Sequence, residues 1–146
     1  MIKIVIFDLD GVLADSRERI QRALRPDGSV DPELIDQGIV ELDVPIKRNI
    51  DWINGLMKEY FVKPEIWTAR PRSTEQATRE WLEKAGVYCR CVRMAHEFTG
   101  LAGAVDLKRG WVRATQPKYI DFAVDDREEI VQMYRSEGIT AHHFTL

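Results

Sequence analysis

Two pairs of aspartates stand out because each follows a short apolar run. Asp8 and Asp10 follow the run at 3–7, and Asp125 and Asp126 follow the run at 119–124. A single aspartate after a strand usually only caps a helix. Four carboxylates at one edge of a sheet repel one another unless a cation relieves them. Oxygen ligands suit Mg²⁺, which also binds substrate phosphate. The pattern therefore predicts a metal-assisted phosphoryl site.

Residues suited to phosphate chemistry occur elsewhere in the chain. Thr68 and Arg70 follow the apolar run at 62–67, and the Thr68 hydroxyl can donate a hydrogen bond to a phosphate oxygen. A lysine near the site would balance charge, and Lys108 and Lys118 are the candidates. An aspartate carboxylate can attack phosphorus, and a second carboxylate two residues away can protonate the leaving oxygen and then activate water.

The elements that position these residues alternate between strand and helix. A continuous apolar run such as 3–7 is typical of a strand buried on both faces, as in parallel sheets. Further strands are predicted at 62–67, 87–92, 119–124 and 140–144, with helices at about 15–24, 45–60, 73–85, 107–113 and 126–137. This alternation predicts an α/β domain whose ligands bind at the carboxyl ends of the strands.

Three helix starts are predicted from capping boxes, in which a polar residue precedes Glu or Gln by three positions. The pairs are Asp15 with Glu18, Ser73 with Gln76, and Asp126 with Glu129. The first helix carries a basic run, which we interpret as a solvated face. The run is Arg17, Arg19, Arg22 and Arg25. Arg17, which is nearest the first aspartates, is the candidate for substrate contact.

The run Asp8-Leu-Asp10-Gly-Val-Leu resembles the first motif of the haloacid dehalogenase (HAD) superfamily of phosphatases. Thr68 resembles the second motif, Lys108 the third and Asp125-Asp126 the fourth. The resemblance implies a three-layer Rossmann-like fold with a mostly parallel five-stranded sheet. It also implies that Asp8 is the nucleophile, Asp10 the general acid/base, and Thr68 and Lys108 phosphate ligands. Mg²⁺ would be held by Asp8, the backbone carbonyl of Asp10, and Asp125, with Asp126 assisting through water.

The stretch from Ala123 to Ile139 is similar to the polynucleotide-phosphatase branch of that superfamily, as in the phosphatase domain of bacteriophage polynucleotide kinase/3′-phosphatase. Thr68-Ala69-Arg70 resembles that domain's Ser-Gly-Arg, which implies phosphate contacts by Ala69 and Arg70. The same pattern favours Lys108 over Lys118. Arg72 is a further candidate for substrate contact.

Composition limits the classes of function. The chain has 146 residues, 45% of them hydrophobic, and its 21 basic and 24 acidic residues leave a net charge of −3. This balance excludes a protein that coats nucleic acid through a globally basic surface. Cys89 and Cys91 lack a second pair to complete a zinc site, which favours a reduced protein. The sequence shows no transmembrane or signal segment, and a cytoplasmic location is expected.

A single domain over 1–146 is predicted, with a small cap or flap insert at about 25–44 that contains a turn of helix at Pro32–Ile35. A small cap leaves the site open to large substrates. The first hypothesis is therefore a Mg²⁺-dependent polynucleotide 3′-phosphatase in nucleic-acid end repair, alongside a separate kinase or ligase. The alternatives are a nucleotidase or other small-molecule phosphatase and a binding module without catalysis.

Overall fold

The computed structural model describes residues 1–31 and 39–146. The strands are β1 (Lys3–Phe7), β2 (Ala14–Asp15), β3 (Val44–Pro45), β4 (Val62–Pro71), β5 (Val92–Ala95), β6 (Ile120–Asp125) and β7 (Thr140–His143). The α-helices are α1 (Arg17–Ala23), α2 (Lys47–Met57), α3 (Glu75–Lys84), α4 (Gly100–Thr115) and α5 (Glu128–Ser136). Short 3₁₀ turns cover Ile39–Leu42, Arg72–Thr74 and Pro117–Tyr119.

Five strands form one parallel sheet in the order β5-β4-β1-β6-β7. The register pairs Phe7 of β1 with Ile66 of β4 and with Val124 of β6. The three strands that precede the polar motifs are therefore direct neighbours. β2 and β3 form a separate antiparallel pair. The predicted α/β fold with a five-stranded parallel sheet is confirmed.

The central strand is buried on both faces, and its alternate residues belong to two different cores. Ile4 and Ile6 pack in a cluster with Val112 of α4 and Ile130 of α5. Val5 and Phe7 point the other way because successive strand side chains alternate. They pack in a second cluster that includes Ile50 and Ile53 of α2 and Trp81 and Leu82 of α3. Helices thus cover both sheet faces, which gives the three predicted layers.

The strand predicted at 87–92 lies later in the chain than expected, because β5 begins at Val92. The backbone N–H of Val87 donates to the carbonyl of Leu82 at the end of α3, and that of Tyr88 donates to the side chain of Asn54. These donors are therefore not available to the sheet. The helix predicted at 107–113 is longer than expected, since α4 starts at Gly100.

The three helix starts each lie one residue beyond the predicted capping residue. Helices α1, α3 and α5 begin after Ser16, Thr74 and Arg127, and none of these residues makes a side-chain capping bond. The Ser16 hydroxyl instead donates to the carboxylate of Asp10, 2.5 Å away. Asp15, which precedes Ser16, accepts a hydrogen bond from the backbone N–H of Arg17 at 3.2 Å, so this predicted cap does contact the first turn of α1.

The predicted turn of helix at Pro32–Ile35 lies outside the described residues. A single domain with an insert at 25–44 stays a prediction. Within residues 1–31 and 39–146, no helix is long and apolar enough to cross a membrane.

Candidate active site

Adjacent strands β1 and β6 bring two aspartates together at their carboxyl ends. The backbone N–H of Asp8, the residue after β1, donates to the carbonyl of Val124 at 3.0 Å. Asp125 is the last residue of β6. Both side chains are buried. The sheet register therefore places the two carboxylates side by side, as the sequence predicts.

Lys108 of α4 lies between these two carboxylates. Its Nζ is 2.9 Å from Oδ1 of Asp8 and 2.8 Å from Oδ2 of Asp125. Burial would lower the pKa of Lys108, but Asp125 and Asp8 outweigh it and raise that pKa well above the ordinary value. Lys118 lies before β6, with its Nζ 5.1 Å from the centre of the Tyr119 ring. The structure thus brings Lys108, and not Lys118, to the aspartates.

Asp126 completes a group of three carboxylates. One oxygen each from Asp8, Asp125 and Asp126 lies within 4.8 Å of the other two. Oδ1 of Asp126 is buried and has no hydrogen-bond partner among the described residues. Burial, followed by the charge of Asp125, raises the pKa of Asp126 to about 6. Burial and then Asp125 also raise the pKa of Asp8. One lysine among three carboxylates leaves excess negative charge, so the group fits a divalent cation with oxygen ligands.

Gly11 shapes the space in which Asp126 lies. The residue has φ of +83°, and a Cβ built on it would be 2.1 Å from Oδ2 of Asp126. Any larger residue would both strain the backbone and displace the carboxylate. The glycine of the first motif is therefore required by close approach as well as by conformation.

Asp10 has different surroundings from the three grouped aspartates. Its Oδ1 accepts hydrogen bonds from Arg19 Nη2 at 2.5 Å and from Arg70 Nη2 at 2.6 Å, and its Oδ2 accepts one from Arg70 Nε at 3.0 Å. Burial opposes ionisation of Asp10, but Arg70 and Arg19 outweigh it and hold its pKa far below the ordinary value. The side chain of Asp10 is therefore an ionised partner of two arginines and stands apart from the metal-binding group.

Asp43 belongs to the same hydrogen-bond network. Its Oδ1 accepts a hydrogen bond from Arg19 Nε at 2.9 Å, and its Oδ2 accepts one from Arg70 Nη2 at 2.6 Å. The Asp43 side chain is fully buried, and its backbone carbonyl accepts a hydrogen bond from the indole of Trp81. Two carboxylates thus share two guanidinium groups.

Sequence reasoning missed Arg19 and Asp43. Arg19 was assigned to a solvated face, yet its side chain is only 2% exposed. A signal for it exists, because Ser16, Arg19 and Ala23 recur at helical spacing and all three are buried. Asp43 follows a 3₁₀ turn at Ile39–Leu42 and lies in no periodic pattern, so the sequence gives no comparable signal.

The remaining predicted residues differ in their burial and in whether they line the cavity at the aspartates. Thr68 is buried near the end of β4, and its hydroxyl accepts a hydrogen bond from the backbone N–H of Arg70. Ala69 and Arg17 line the cavity described below, and Arg17 forms an exposed ion pair with Asp15. Arg72 is exposed and is not among the described residues that line this cavity.

A cavity of about 600 Å³ opens above the carboxyl ends of the strands. Its floor includes Asp8, Asp10, Lys108, Asp125 and Asp126, and its walls come from α1, α4, the start of α5 and the segment after β7. The volume lies within the range of small-molecule sites in proteins. A phosphate at the floor would leave most of the cavity for the group that carries it.

Neither known family profiles nor curated proteins match the sequence. Solved structures do match, and they show that the chain has the fold of haloacid dehalogenase-like hydrolases. A chain of the Pnkp1/Rnl/Hen1 RNA repair complex is 19% identical with a TM-score of 0.74, and the match covers 99% of this chain and 43% of that one. A second chain from this complex is 20% identical, with a TM-score of 0.77 and coverage of 98% and 46%.

Two structures of single enzymes match over most of their own length. A haloacid dehalogenase-like hydrolase from Streptococcus pneumoniae is 15% identical with a TM-score of 0.64, and the match covers 99% of this chain and 85% of that one. The HAD family enzyme bt-2542 from Bacteroides thetaiotaomicron, in its magnesium complex, is 17% identical with a TM-score of 0.61 and coverage of 99% and 93%. The fold predicted from the motifs is confirmed. The chain spans less than half of the repair-complex chains.

Proposed function

We propose that the protein is a Mg²⁺-dependent phosphomonoesterase that removes the 3′-phosphate from the end of a polynucleotide. The reaction would pass through an aspartyl-phosphate on Asp8. One observation carries the phosphatase assignment. Three carboxylates converge at the floor of an open cavity, Lys108 contacts two of them, and one buried oxygen of Asp126 has no hydrogen-bond partner among the described residues. Mutually repelling carboxylates are costly to retain in a module that only binds a partner. Their convergence therefore favours chemistry over a purely structural role.

Asp8, Asp125 and Asp126 are the residues that would hold Mg²⁺, and the backbone carbonyl of Asp10 is a further ligand by resemblance to the family. The side chain of Asp10 is committed to Arg19 and Arg70 and takes no part in this group. When bound, Mg²⁺ supplies positive charge that offsets the repulsion between a phosphate and the Asp8 carboxylate.

In the proposed reaction, an oxygen of Asp8 attacks phosphorus, and the bond from phosphorus to the ester oxygen breaks. Asp10 gives a proton to the leaving oxygen, which departs as a hydroxyl group. Asp10 then accepts a proton from water, whose oxygen attacks the aspartyl-phosphate and releases inorganic phosphate. Burial and the charge of Asp125 raise the pKa of Asp8, Lys108 opposes them, and its ammonium group offsets the charge of the Asp8 carboxylate. Thr68 and the backbone of Ala69 bind phosphate oxygens in this proposal.

Arg70 links substrate binding to the proton transfer. In the free protein it holds Asp10 ionised, which suits a base but not an acid. A phosphate dianion competes with Asp10 for the Arg70 guanidinium, since both accept charge-assisted hydrogen bonds. When Arg70 donates to the phosphate instead of to Asp10, Asp10 loses hydrogen bonds that lower its pKa. The pKa of Asp10 therefore rises, and Asp10 can carry the proton for the leaving group. Arg17 and Arg72 are outer substrate contacts in this proposal.

The preference for a polynucleotide rests on the resemblance to polynucleotide phosphatases and on the likeness to chains of an RNA repair complex. A kinase or ligase would act beside this chain, on another domain or another protein. The cytoplasm is the proposed location.

The test is a panel of phosphate-release assays with Mg²⁺ and with a chelator. The substrates are a 3′-phosphorylated oligonucleotide, its 5′-phosphorylated counterpart and nucleoside 3′- and 5′-monophosphates. We expect Mg²⁺-dependent release that is fastest with the 3′-phosphorylated oligonucleotide. Faster release from the monophosphates would instead identify a nucleotidase. Failure to hydrolyse any of them would overturn the phosphatase assignment.

Substitution of Asp8 tests the nucleophile in the same assays. Asp8→Asn should abolish turnover while the circular dichroism spectrum and the fold are retained. Asp121→Asn is the matched control, because Asp121 lies on the neighbouring strand β6 but is exposed. Persistent activity of Asp8→Asn would contradict the aspartyl-phosphate mechanism.

A further inference from the structure

The cavity wall includes large apolar side chains that the proposed chemistry does not use. Phe98, in the loop between β5 and α4, is 42% exposed, and Ile20 of α1 is 39% exposed. Both line the same cavity as Asp8 and Lys108. Single exposed apolar residues are common on protein surfaces. An aromatic ring exposed on the wall of a charged cavity is instead placed to contact what enters it.

The length of helix α4 separates the loop that carries Phe98 from Lys108 at the floor of the cavity. Gly100, Ala104 and Lys108 are spaced by four residues, and all three line the cavity, so one face of α4 runs along it. Eight residues of helix rise about 12 Å, which separates Gly100 from Lys108 along the axis. Phe98 precedes Gly100 by two residues and so lies at the far end of this face. A group bound there is well beyond a phosphate at Lys108.

Positively charged side chains also line this cavity. Arg17, at the start of α1, and Arg127, just before α5, both contribute to the lining, and Arg127 also forms an ion pair with Glu129. Arg17 is 76% exposed and pairs with Asp15 on the surface, an ion pair of little net strength that a phosphodiester can replace. Cations that follow a sugar-phosphate backbone, together with an exposed aromatic ring, are the combination that binds single-stranded nucleic acid.

We propose that Phe98 stacks on an unpaired base of the substrate strand and thereby selects a single-stranded phosphorylated end over a free nucleotide. The stacked base lies inward from the terminal phosphate along the strand, because of the length of α4 between Phe98 and Lys108. This inference rests on the proposed function. It assigns to Phe98 the preference of the protein for a nucleic-acid strand over a free nucleotide.

The test compares Phe98 variants on two matched substrates. One is a single-stranded oligonucleotide with a 3′-phosphate, and the other carries abasic sites at its last nucleotides but keeps every phosphate. Phe98→Ala should raise KM for the first roughly 5- to 150-fold, which corresponds to about 1–3 kcal/mol per stacked base. It should leave kcat and the KM for the abasic strand unchanged. Phe98→Trp should restore the wild-type KM, and Phe98→Leu should not.

Tyr88→Ala is the matched control, since Tyr88 is an exposed aromatic residue outside the described cavity lining. It should leave KM unchanged for both strands. Equal loss on both strands for Phe98→Ala would show a structural role and overturn the proposal. Wild-type affinity in Phe98→Leu would overturn stacking as its basis.

Binding measurements separate failure of this inference from failure of the proposed function. Fluorescence anisotropy of the labelled oligonucleotide, with Asp8→Asn as the background, needs no turnover. Weaker binding of the normal strand in Asp8→Asn/Phe98→Ala, with unchanged binding of the abasic strand, supports stacking even where the wild-type protein releases no phosphate. Equal binding of the normal strand by Asp8→Asn and by the double variant would overturn the role of Phe98.

Discussion

Arg70 donates two hydrogen bonds to Asp10, from Nε to Oδ2 at 3.0 Å and from Nη2 to Oδ1 at 2.6 Å. This fork fixes both the orientation and the charge of the carboxylate that lies two residues after Asp8. Arg70 comes from β4 and Asp10 from the loop after β1, so the pairing depends on the parallel alignment of those strands. The charge of the Asp10 carboxylate is therefore controlled by a residue 60 positions away in the sequence.

Asp43 is expected to position the two arginines that hold Asp10. Asp43→Asn keeps the shape of the side chain but removes a fully buried charge that binds Arg19 and Arg70. Breaking a buried ion pair costs about 3–5 kcal/mol when one partner is removed, and somewhat less when the new side chain retains an acceptor. We expect a lower unfolding free energy in urea and a fall in kcat/KM of at least about tenfold.

Asp51→Asn is the control for that experiment. Asp51 makes an exposed pair with Lys47 on α2, at 3.4 Å, and such pairs contribute about 0.5 kcal/mol or less. Its unfolding free energy and kcat/KM should match the wild type. If Asp43→Asn retains wild-type kcat/KM while it loses stability, the role of Asp43 is structural only.

Lys108 and Lys118 should respond very differently to the same change. Lys108→Gln removes a buried cation that contacts both Asp8 and Asp125, which leaves their repulsion uncompensated. Lys118→Gln alters an exposed residue beyond the opposite end of β6. We expect Lys108→Gln to lose at least about 100-fold in kcat/KM, a barrier increase of about 2.7 kcal/mol, and Lys118→Gln to lose none. Comparable losses in both variants would contradict the proposed site.

The sequence located the floor of the site because a single rule governs it. Asp8 and Asp125 each follow an apolar run of strand length, and the carboxyl ends of parallel strands meet at one edge. Sheet order was not needed for this inference. The same rule places Thr68 and Arg70 near the end of β4, next to β1.

The arginine network around Asp10 depends on the directions in which side chains point, and a sequence pattern does not contain that information. Whether Arg19 points inward or to solvent is decided by how the short helix α1 lies on its neighbours, and its partner Asp43 comes from a non-periodic segment 24 positions later. The start of α4 was missed because Gly100 and Gly103 are weak helix formers. In the structure, a Cβ on Gly103 would meet the Thr99 side chain at 2.9 Å, so packing favours glycine there.

Stability of the metal-free protein should increase as the pH falls from 7 to 4.5. Asp126 has an ordinary pKa of 3.8 and a folded-state pKa of about 6, raised by burial and by Asp125. Within this interval the folded protein keeps a proton that the unfolded chain has lost, so the penalty of the buried charge is relieved on acidification. Asp8 acts in the same direction. Asp10 has a lowered pKa, so its stabilising contribution is lost only below this window.

Thermal unfolding with chelator and with Mg²⁺ checks this expectation. At pH 7, Mg²⁺ should raise Tm, and the increase should shrink towards pH 4.5 as the carboxylate ligands bind protons instead. Asp126→Asn removes the group that titrates near pH 6 and should reduce both the pH effect and the Mg²⁺ effect. A Mg²⁺-induced rise in Tm that is independent of pH would exclude these carboxylates as its source.

Gly11→Ala should damage the proposed metal site, because Gly11 lies against the carboxylate of Asp126. The added methyl group would lie 2.1 Å from Oδ2 of Asp126, so either the carboxylate or the turn after β1 must move. Gly138→Ala is the matched control, because Gly138 has a nearly equal φ of +81° but no atom near the new Cβ. Both variants carry the cost of a left-handed alanine, about 1–2 kcal/mol. Only Gly11→Ala should also lose the rise in Tm with Mg²⁺ and the catalytic activity, because only there does the side chain displace a carboxylate that the cation needs.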